Sequence, residues 1–413
     1  MKITVYNIYS QDNQVKIEGN NGLSIKSNNL QELLDTLYCP DTLNLVWDLD
    51  ASVAPLLQLL QEDKLKKLNE TSKCHYAPFN IFYSKTRTLI LQPVTSFAFS
   101  SSLFGIAQYF PNESASGSLL DLVKKAEELL EALSIMGIDN PKKLSSPVAI
   151  FEEAKMKYMN LPTIYDMPQE AGMYAAECAG KLWTEAYKIG CWEEAFDYDI
   201  ESSFPSIVAE LPDFRYGKWI KSKNAEFDFL YKSNNEIFGF HKCNVTIYNN
   251  IKISPIIHVK EDGSLSTPVG SWETYLTTNE INFILKYHIG KVEIINGWTC
   301  NSTIRRYPMK QCIIDLLKYK ESNNQLVAML AKRMSVGIYG KFGEEYSDKF
   351  GKYYNPVWFA YTSTDVRLEV ARFIYDNNLQ DNVIHISTDG VLLDKELIAQ
   401  SSLLHNSCKD RSK

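Results

Sequence analysis

Apolar residues in the first 110 or so positions come in short alternating runs: KITVYNIY, QVKIEG, TLNLVWDL, FNIFYS and TRTLILQPV. A period of two predicts strands with one buried face. The period then changes. PNESASGS (Pro111–Ser118) reads as a loop. From Leu119 to Met136 the apolar residues Leu119, Leu122, Val123, Ala126, Leu130 and Leu133 recur at steps of three and four, with Gly137 as a stop. That is the pattern of an amphipathic helix. Ser146-Pro147 opens a second helix, with Ser as N-cap and Pro at the first helical position. NLPTIYDMP, with two prolines, marks a boundary near Asn160–Met167.

The second half mixes both periods. EAFDYDIESSFPSIVAELPDF predicts a strand, a tight turn and a short helix that Pro205 can open and Pro212 closes. EIFGFHKCNVTIYNNIKISPIIHV reads as paired strands, TTNEINFILKYHI as a helix and KVEIINGWTC as a strand. A helix pair follows, roughly Met309–Lys320 and Asn323–Tyr339, with Glu321–Asn324 between them. PVWFAYTSTDVRLEVARFIYDNN predicts one more helix. HISTDGVLL then reads as a hairpin turning at Thr388-Asp389-Gly390, since Asp-Gly between apolar runs is a strong hairpin signal.

Composition changes this picture little. A chain of 413 residues with 45% hydrophobic and 23% charged residues has room for two or three domains. No apolar run approaches the roughly 20 residues that span a bilayer. The first residues lack the apolar stretch of a signal peptide, so the expected location is cytoplasmic, or host cytoplasm for a viral protein. Eight scattered cysteines form no CxxC pair, which excludes a disulfide framework and a cysteine zinc site. The adjacent Cys74 and His75 read as packing.

Charge adds more. The chain carries a net charge of −7, yet between Arg305 and Lys341 eight Lys or Arg face only Asp315 and Glu321, a local excess of +6. A basic segment in an acidic protein suits a phosphate-bearing partner or a solvated helix face.

Three stretches hold the candidate chemistry. In DYDIESSFPS, Asp197 and Asp199 share one strand face. In YKESNNQLVAMLAKRMSVGIYGKFG, Lys320 and Lys332 lie twelve residues apart, about 18 Å along one straight helix and differently spaced if the chain breaks at Ser322-Asn323. In ISTDGVLLD, Asp389 tips the hairpin. Two-metal nucleotidyl transfer needs carboxylates that share a pair of cations about 3.5–4 Å apart. Asp199 and Asp389, 190 residues apart in sequence, are candidates if a sheet joins them.

The order of these stretches resembles motifs A, B and C of family B DNA polymerases, in the protein-primed, mobile-element and viral branch. Motif A there is Asp-x-x-Ser-Leu-Tyr-Pro-Ser, and this chain has Asp199-Ile-Glu-Ser202-Ser203-Phe204-Pro205-Ser206. Motif B is Lys-x-x-x-Asn-Ser-x-Tyr-Gly, matched by Lys332 to Gly340. Motif C is Asp-Thr-Asp-Ser, matched by Ser387-Thr388-Asp389-Gly390. CAGKLWTEAY (Cys178–Tyr187) resembles the Tyr-Gly-Gly segment ahead of motif A. The resemblance covers about Gly172 to Asp394.

The resemblance implies an α+β fold: an antiparallel palm sheet with helices, helical fingers and an exonuclease-like α/β N-terminal domain. The implied domains are 1–165, exonuclease-like and catalytically inactive; 166–300, palm with motif A and an insertion; 301–345, fingers with motif B; and 346–413, palm with motif C. In the N-terminal domain Asp48 and Asp50 are the best exonuclease candidates, without matching second and third motifs. Only 24 residues follow Asp389, so the expectation is a missing thumb and a truncated or split polymerase.

The implied activity is DNA-directed DNA synthesis from dNTPs on a DNA template-primer. Two Mg²⁺ ions, replaceable by Mn²⁺, are implied at the catalytic and metal-binding Asp199 and Asp389. Lys320 and Lys332 match triphosphate ligands. Phe204 takes the place of the Tyr under the sugar ring. Tyr339 and Gly340 border the nascent base pair, and Lys341 and Arg333 meet DNA. A terminal protein primer and a separate thumb chain are the further implied partners; a membrane is not. Val336, Gly337 and Ser387 depart from the motifs, and they frame the alternative: a remnant that binds DNA or nucleotide without extending primers.

Overall fold

The computed structural model describes residues 2–38, 42–46, 49–59, 79–82, 88–93, 119–139, 141, 144, 146–226, 235–346, 349–397 and 408–410. The expected loop at Pro111–Ser118 lies outside these residues, as do Asp48, Cys39, Cys74 and His75. The fold is mixed α+β and divides into two compact units: Met1–Met159 with Leu316–Met334, and Asn160–Asp315 with Ser335–Lys413.

The first unit holds six strands: β1 (Lys2–Gln11), β2 (Gln14–Gly19), β3 (Ser24–Ser27), β4 (Thr42–Val46), β5 (Phe79–Phe82) and β6 (Thr88–Pro93), in the order β3-β2-β1-β4-β6-β5. β4 runs parallel to both β1 and β6, while the outer pairings are antiparallel. Alternation works as expected in β2, where Val15 and Ile17 are buried between partly exposed neighbours. Helices α1 (Leu30–Leu37) and α2 (Leu49–Leu57) were not anticipated. Leu33, Leu34 and Leu37 bury one face of α1, and Asn29 caps it by accepting from the Gln31 and Glu32 amides. Asp50 lies in α2, which holds Pro55 in its interior. The expected helices appear as α3 (Leu119–Ile135), followed by Gly137 in the left-handed region at φ 67°, and α4 (Pro147–Ala154), capped by Ser146.

The second unit is built on a five-stranded sheet. It begins with α5 (Gln169–Cys178), β7 (Thr184–Ala186), β8 (Phe196–Ile200) and α6 (Ser203–Ala209). Then come β9 (Lys218–Glu226), β10 (Glu236–Ile247), the short β11 (His258–Val259) and β12 (Leu265–Ser266), β13 (Gly270–Thr277), α7 (Thr278–Lys286) and β14 (Gly290–Asn301). α8 (Lys310–Lys320) and α9 (Gln325–Phe342) each contribute residues to both units. The chain closes with β15 (Glu345–Tyr346), β16 (Lys349–Phe350), α10 (Pro356–Asp376), β17 (Val383–Ser387), β18 (Gly390–Leu393) and β19 (Cys408–Asp410).

β11-β12 and β15-β16 form two-stranded sheets; the two larger sheets are β19-β8-β18-β17-β7 and an antiparallel β13-β10-β14-β9. The core between them and the helices joins Tyr198, Ile200, Val391 and Leu393 to Leu368, Val370, Ala371 and Ile374 of α10. One expectation is corrected. β10 does not pair with the segment that follows it; its partners are β13 and β14. Ile253, Ile256 and Ile257 are buried without a ladder, because Pro255 has no amide to give one. No described helix is long and apolar enough to cross a membrane.

His241 of β10 gives this unit an acid-sensitive point. It is 1% exposed, with Nε2 3.0 Å from Thr278 Oγ1, and burial holds its pKa down at about 4. A Cβ on Gly297 would come within 2.3 Å of His241 Nδ1, so that glycine makes room for the ring. The unfolded chain takes up this proton near pH 6.5 and the folded chain only near pH 4. Stability is therefore fully present above pH 6.5 and is lost as pH falls toward 4, by about 3 kcal/mol. Urea unfolding at pH 7 and pH 4.5 measures this. His241→Gln should flatten the difference, and an unchanged difference would exclude His241 as its source.

Candidate active site

Antiparallel pairing of β8 with β18 places Asp199 directly opposite Gly390, with Tyr198 opposite Val391 and Asp197 opposite Leu392. Tyr198 and Ile200 point into the core, so Asp197 and Asp199 share the other face, as the two-residue period requires. The turn between β17 and β18 consists of Thr388 and Asp389, with Ser387 paired to Gly390. The turn expected at Thr388-Asp389-Gly390 thus forms at its first two residues, and Gly390 already belongs to β18. Thr388, not Gly390, takes the left-handed conformation, at φ 58°.

Two backbone hydrogen bonds hold this turn. The Thr388 amide donates to the Trp183 carbonyl (2.7 Å), and the Ile200 amide donates to the Asp389 carbonyl (3.0 Å). Asp389 therefore adjoins the end of β8 that carries Asp199. A Cβ on Gly390 would stand 3.5 Å from Asp199 Oδ1. Both carboxylates are half-buried, while Ser387 is exposed. Among the described residues no group of three or more His, Cys, Asp or Glu could hold a metal. Two neighbouring carboxylates nevertheless fit Mg²⁺, which keeps several waters and completes its shell with substrate phosphates.

After β8 the chain reverses through Ser202, also left-handed at φ 56°, and enters α6 at Ser203. Pro205 lies inside the first turn, where a missing amide costs nothing. Ser203 Oγ donates to Glu369 Oε2 of α10 (3.3 Å). The Glu369 pKa is raised, first by burial and then by Asp365 nearby. The Phe204 ring meets the Tyr339 ring of α9 at 4.9 Å and 48°, joining motif A to motif B. Burial pushes the Tyr339 hydroxyl up to about 12. Gly340, one residue on, is exposed, and a Cβ there would meet nothing within 4 Å. Lys341 forms an ion pair with Glu344 at 3.0 Å.

The remaining cationic candidates fall in the first unit's share of the chain. Lys320 ends α8; Lys332 and Arg333 are exposed on α9. The helices are separate, and Asn324 caps the second by accepting from the Leu326 and Val327 amides. The 18 Å estimate for one straight helix therefore does not apply. Within α9, Lys332, Val336, Tyr339 and Gly340 follow steps of four, three and one, which place them along one side of the helix.

Sequence reasoning missed Arg367 and Glu280, both 1% exposed and paired at 2.5 Å. Arg367 also donates to the Lys181 carbonyl, two residues before the Trp183 carbonyl that holds the Thr388 turn. Arg367 is flanked in α10 by Thr364, Asp365, Glu369 and Arg372, so no local pattern in the sequence marks it as buried.

Residues 180–357 match the sequence family described as DNA polymerase type B, organellar and viral. This match takes in Asp199, Phe204 and Tyr339 and ends before Asp389. No curated protein matches the chain. In three dimensions it is similar to phi29 DNA polymerase in complex with primer-template DNA and incoming nucleotide. The TM-score is 0.63 at 14% identity, over 96% of this chain and 80% of that one. An orthorhombic crystal form of phi29 DNA polymerase gives 0.61 at 13% identity, over 96% and 81%. At such identities these likenesses speak for the fold, which agrees with the motif order and the sequence-family match. Residues 180–357 are thus similar to the family B DNA polymerases of the organellar and viral type.

Proposed function

We propose that this protein is a DNA-directed DNA polymerase of mobile-element, plasmid or viral type that extends a primer with dNTPs. The observation that carries the reading is the β8–β18 register, which sets Asp199 beside the Asp389 turn. Asp199 and Asp389 would hold two Mg²⁺ ions, or Mn²⁺, supplying charge to activate the primer 3′-hydroxyl and to neutralise the leaving pyrophosphate. The chain's own residues do the rest. Phe204 lies under the deoxyribose and excludes a 2′-hydroxyl by bulk. Tyr339 and the open surface at Gly340 border the new base pair. Lys320 and Lys332 bind the triphosphate. Arg333 and Lys341 contact DNA, Lys341 exchanging Glu344 for a phosphate.

The phi29 structures contain primer-template DNA and nucleotide, and we assign the same partners to this chain. The sheet β13-β10-β14-β9 fills the interval between motif A and Lys320, and contact with a terminal protein is assigned there. Residues 1–165 are assigned as an exonuclease-like domain without catalysis. Ser387, exposed where the family has a carboxylate, favours the second reading, a remnant that binds DNA or nucleotide without extending primers.

Extension of a labelled primer by the full chain, with Mg²⁺ or Mn²⁺, decides between them. Template-dependent products lost in both Asp199→Ala and Asp389→Ala support the polymerase. Binding of primer-template without products supports the remnant. Lys332→Ala should raise the KM for dNTP about 10-fold or more, as expected on losing a charge-assisted hydrogen bond. An unchanged KM would remove Lys332 from the triphosphate site.

A further inference from the structure

Phe204 does not form its wall alone. Its ring lies against Tyr339, and Tyr339 stacks in turn on Phe359 at 4.6 Å and 28° between planes. Phe359 comes from α10 and belongs to none of the three motifs. Glycines crowd this ring. A Cβ at Gly343, just after α9, would fall 2.4 Å from Phe359 Cζ and 2.5 Å from Cε1. A Cβ at Gly180, in the segment ahead of β7, would fall 3.4 Å from Cε1. Gly180 is also left-handed at φ 69°. Backbone from two separate segments thus closes on the ring that backs Tyr339.

We infer that Phe359 is a specificity-determining positioning residue: by backing Tyr339 it fixes the Phe204 wall and so sets the discrimination against ribonucleotides. The inference rests on Phe204 lying under the sugar. Rejecting one extra oxygen requires a wall that cannot yield by a few tenths of an ångström. Such rigidity comes from close packing behind the wall. Leucine at 359 has no planar face to stack on Tyr339 and leaves space into which that ring can retreat.

Single-nucleotide insertion by the full chain, with dNTP and the matching rNTP, gives the ratio of the two kcat/KM values. Phe359→Leu should lower this ratio about 10-fold, the scale on which a pocket resolves one small group. Gly343→Ala, which displaces the ring, should lower it too. Phe359→Tyr, which keeps the stacked face, should retain it. A purely structural role would slow both substrates together and leave the ratio alone. That outcome, in whichever of Phe359→Leu and Gly343→Ala melts cooperatively, overturns the inference while the polymerase reading stands. A wild-type chain that inserts neither nucleotide, or a Phe204→Ala variant with an unchanged ratio, overturns the reading of the site and the inference with it.

Discussion

Asp389→Ala is expected to lower the rate of dNTP incorporation by roughly 10³-fold or more, the scale seen when a group that stabilises transition-state charge is removed. The protein should stay folded. Asp389 is a turn residue whose backbone carbonyl receives the Ile200 amide, and alanine keeps that carbonyl. The side chain is half-buried and is not part of the core cluster that holds Tyr198 and Val391. Asp199→Ala should behave alike, because its strand position is secured by pairing with β18. Rapid-quench incorporation in Mg²⁺ and a thermal melt on the same preparations check both halves. Incorporation that persists in Asp389→Ala would sink the two-carboxylate assignment. A collapse of the melt in both variants would make the carboxylates structural.

Arg367→Met is expected to destabilise the second unit by about 3–5 kcal/mol, because it leaves the Glu280 carboxylate buried without its countercharge. The geometry is demanding. Arg367 and Glu280 are each 1% exposed and meet at 2.5 Å. Glu280 also accepts from the Thr277 amide at 2.8 Å in the capping box that opens α7. Arg367 further serves the Lys181 carbonyl, so the variant strands a buried acceptor as well. Replacing both partners, as Arg367→Met with Glu280→Met, should recover much of the loss, since it removes the lone charge. Urea unfolding of the two single variants and the double variant measures the coupling. A loss below about 1 kcal/mol in Arg367→Met would mean that solvent reaches the pair. The same variant should impair incorporation beyond its effect on stability. The segment after Lys181 supplies the Trp183 carbonyl that holds the Asp389 turn.

Legibility followed the range of the forces involved. The helix Leu119–Ile135, the Ser146 cap, strand β8 and the long helix Pro356–Asp376 could all be read, because each depends on neighbours one to four residues away. Helix α2 could not, since Pro55 lowers local propensity while Val53 and Leu56 are buried by tertiary packing. The expected strand pair after Ile247 failed for a similar reason. Alternating isoleucines show that a segment is buried, not which backbone it pairs with.

The site divides the same way. Asp199, Phe204, Tyr339, Gly340 and Asp389 were nameable because their types and order match a family. What the sequence by itself determined was the type of several elements in the second unit, among them β8, α7, β14 and α10, and the identity of the side chains its strand ends and turns would carry. Only the tertiary structure decided that β8 and β18 are neighbours, that Asp199 faces Gly390, and that Thr388 rather than Gly390 bears the left-handed turn. It alone brought Phe359 behind Tyr339 and Arg367 onto Glu280. Register across 190 residues is set by packing Tyr198, Ile200, Val391 and Leu393 into one core, and a one-residue slip would turn those side chains out and the carboxylates in. That balance is struck between distant segments, and no local pattern encodes it.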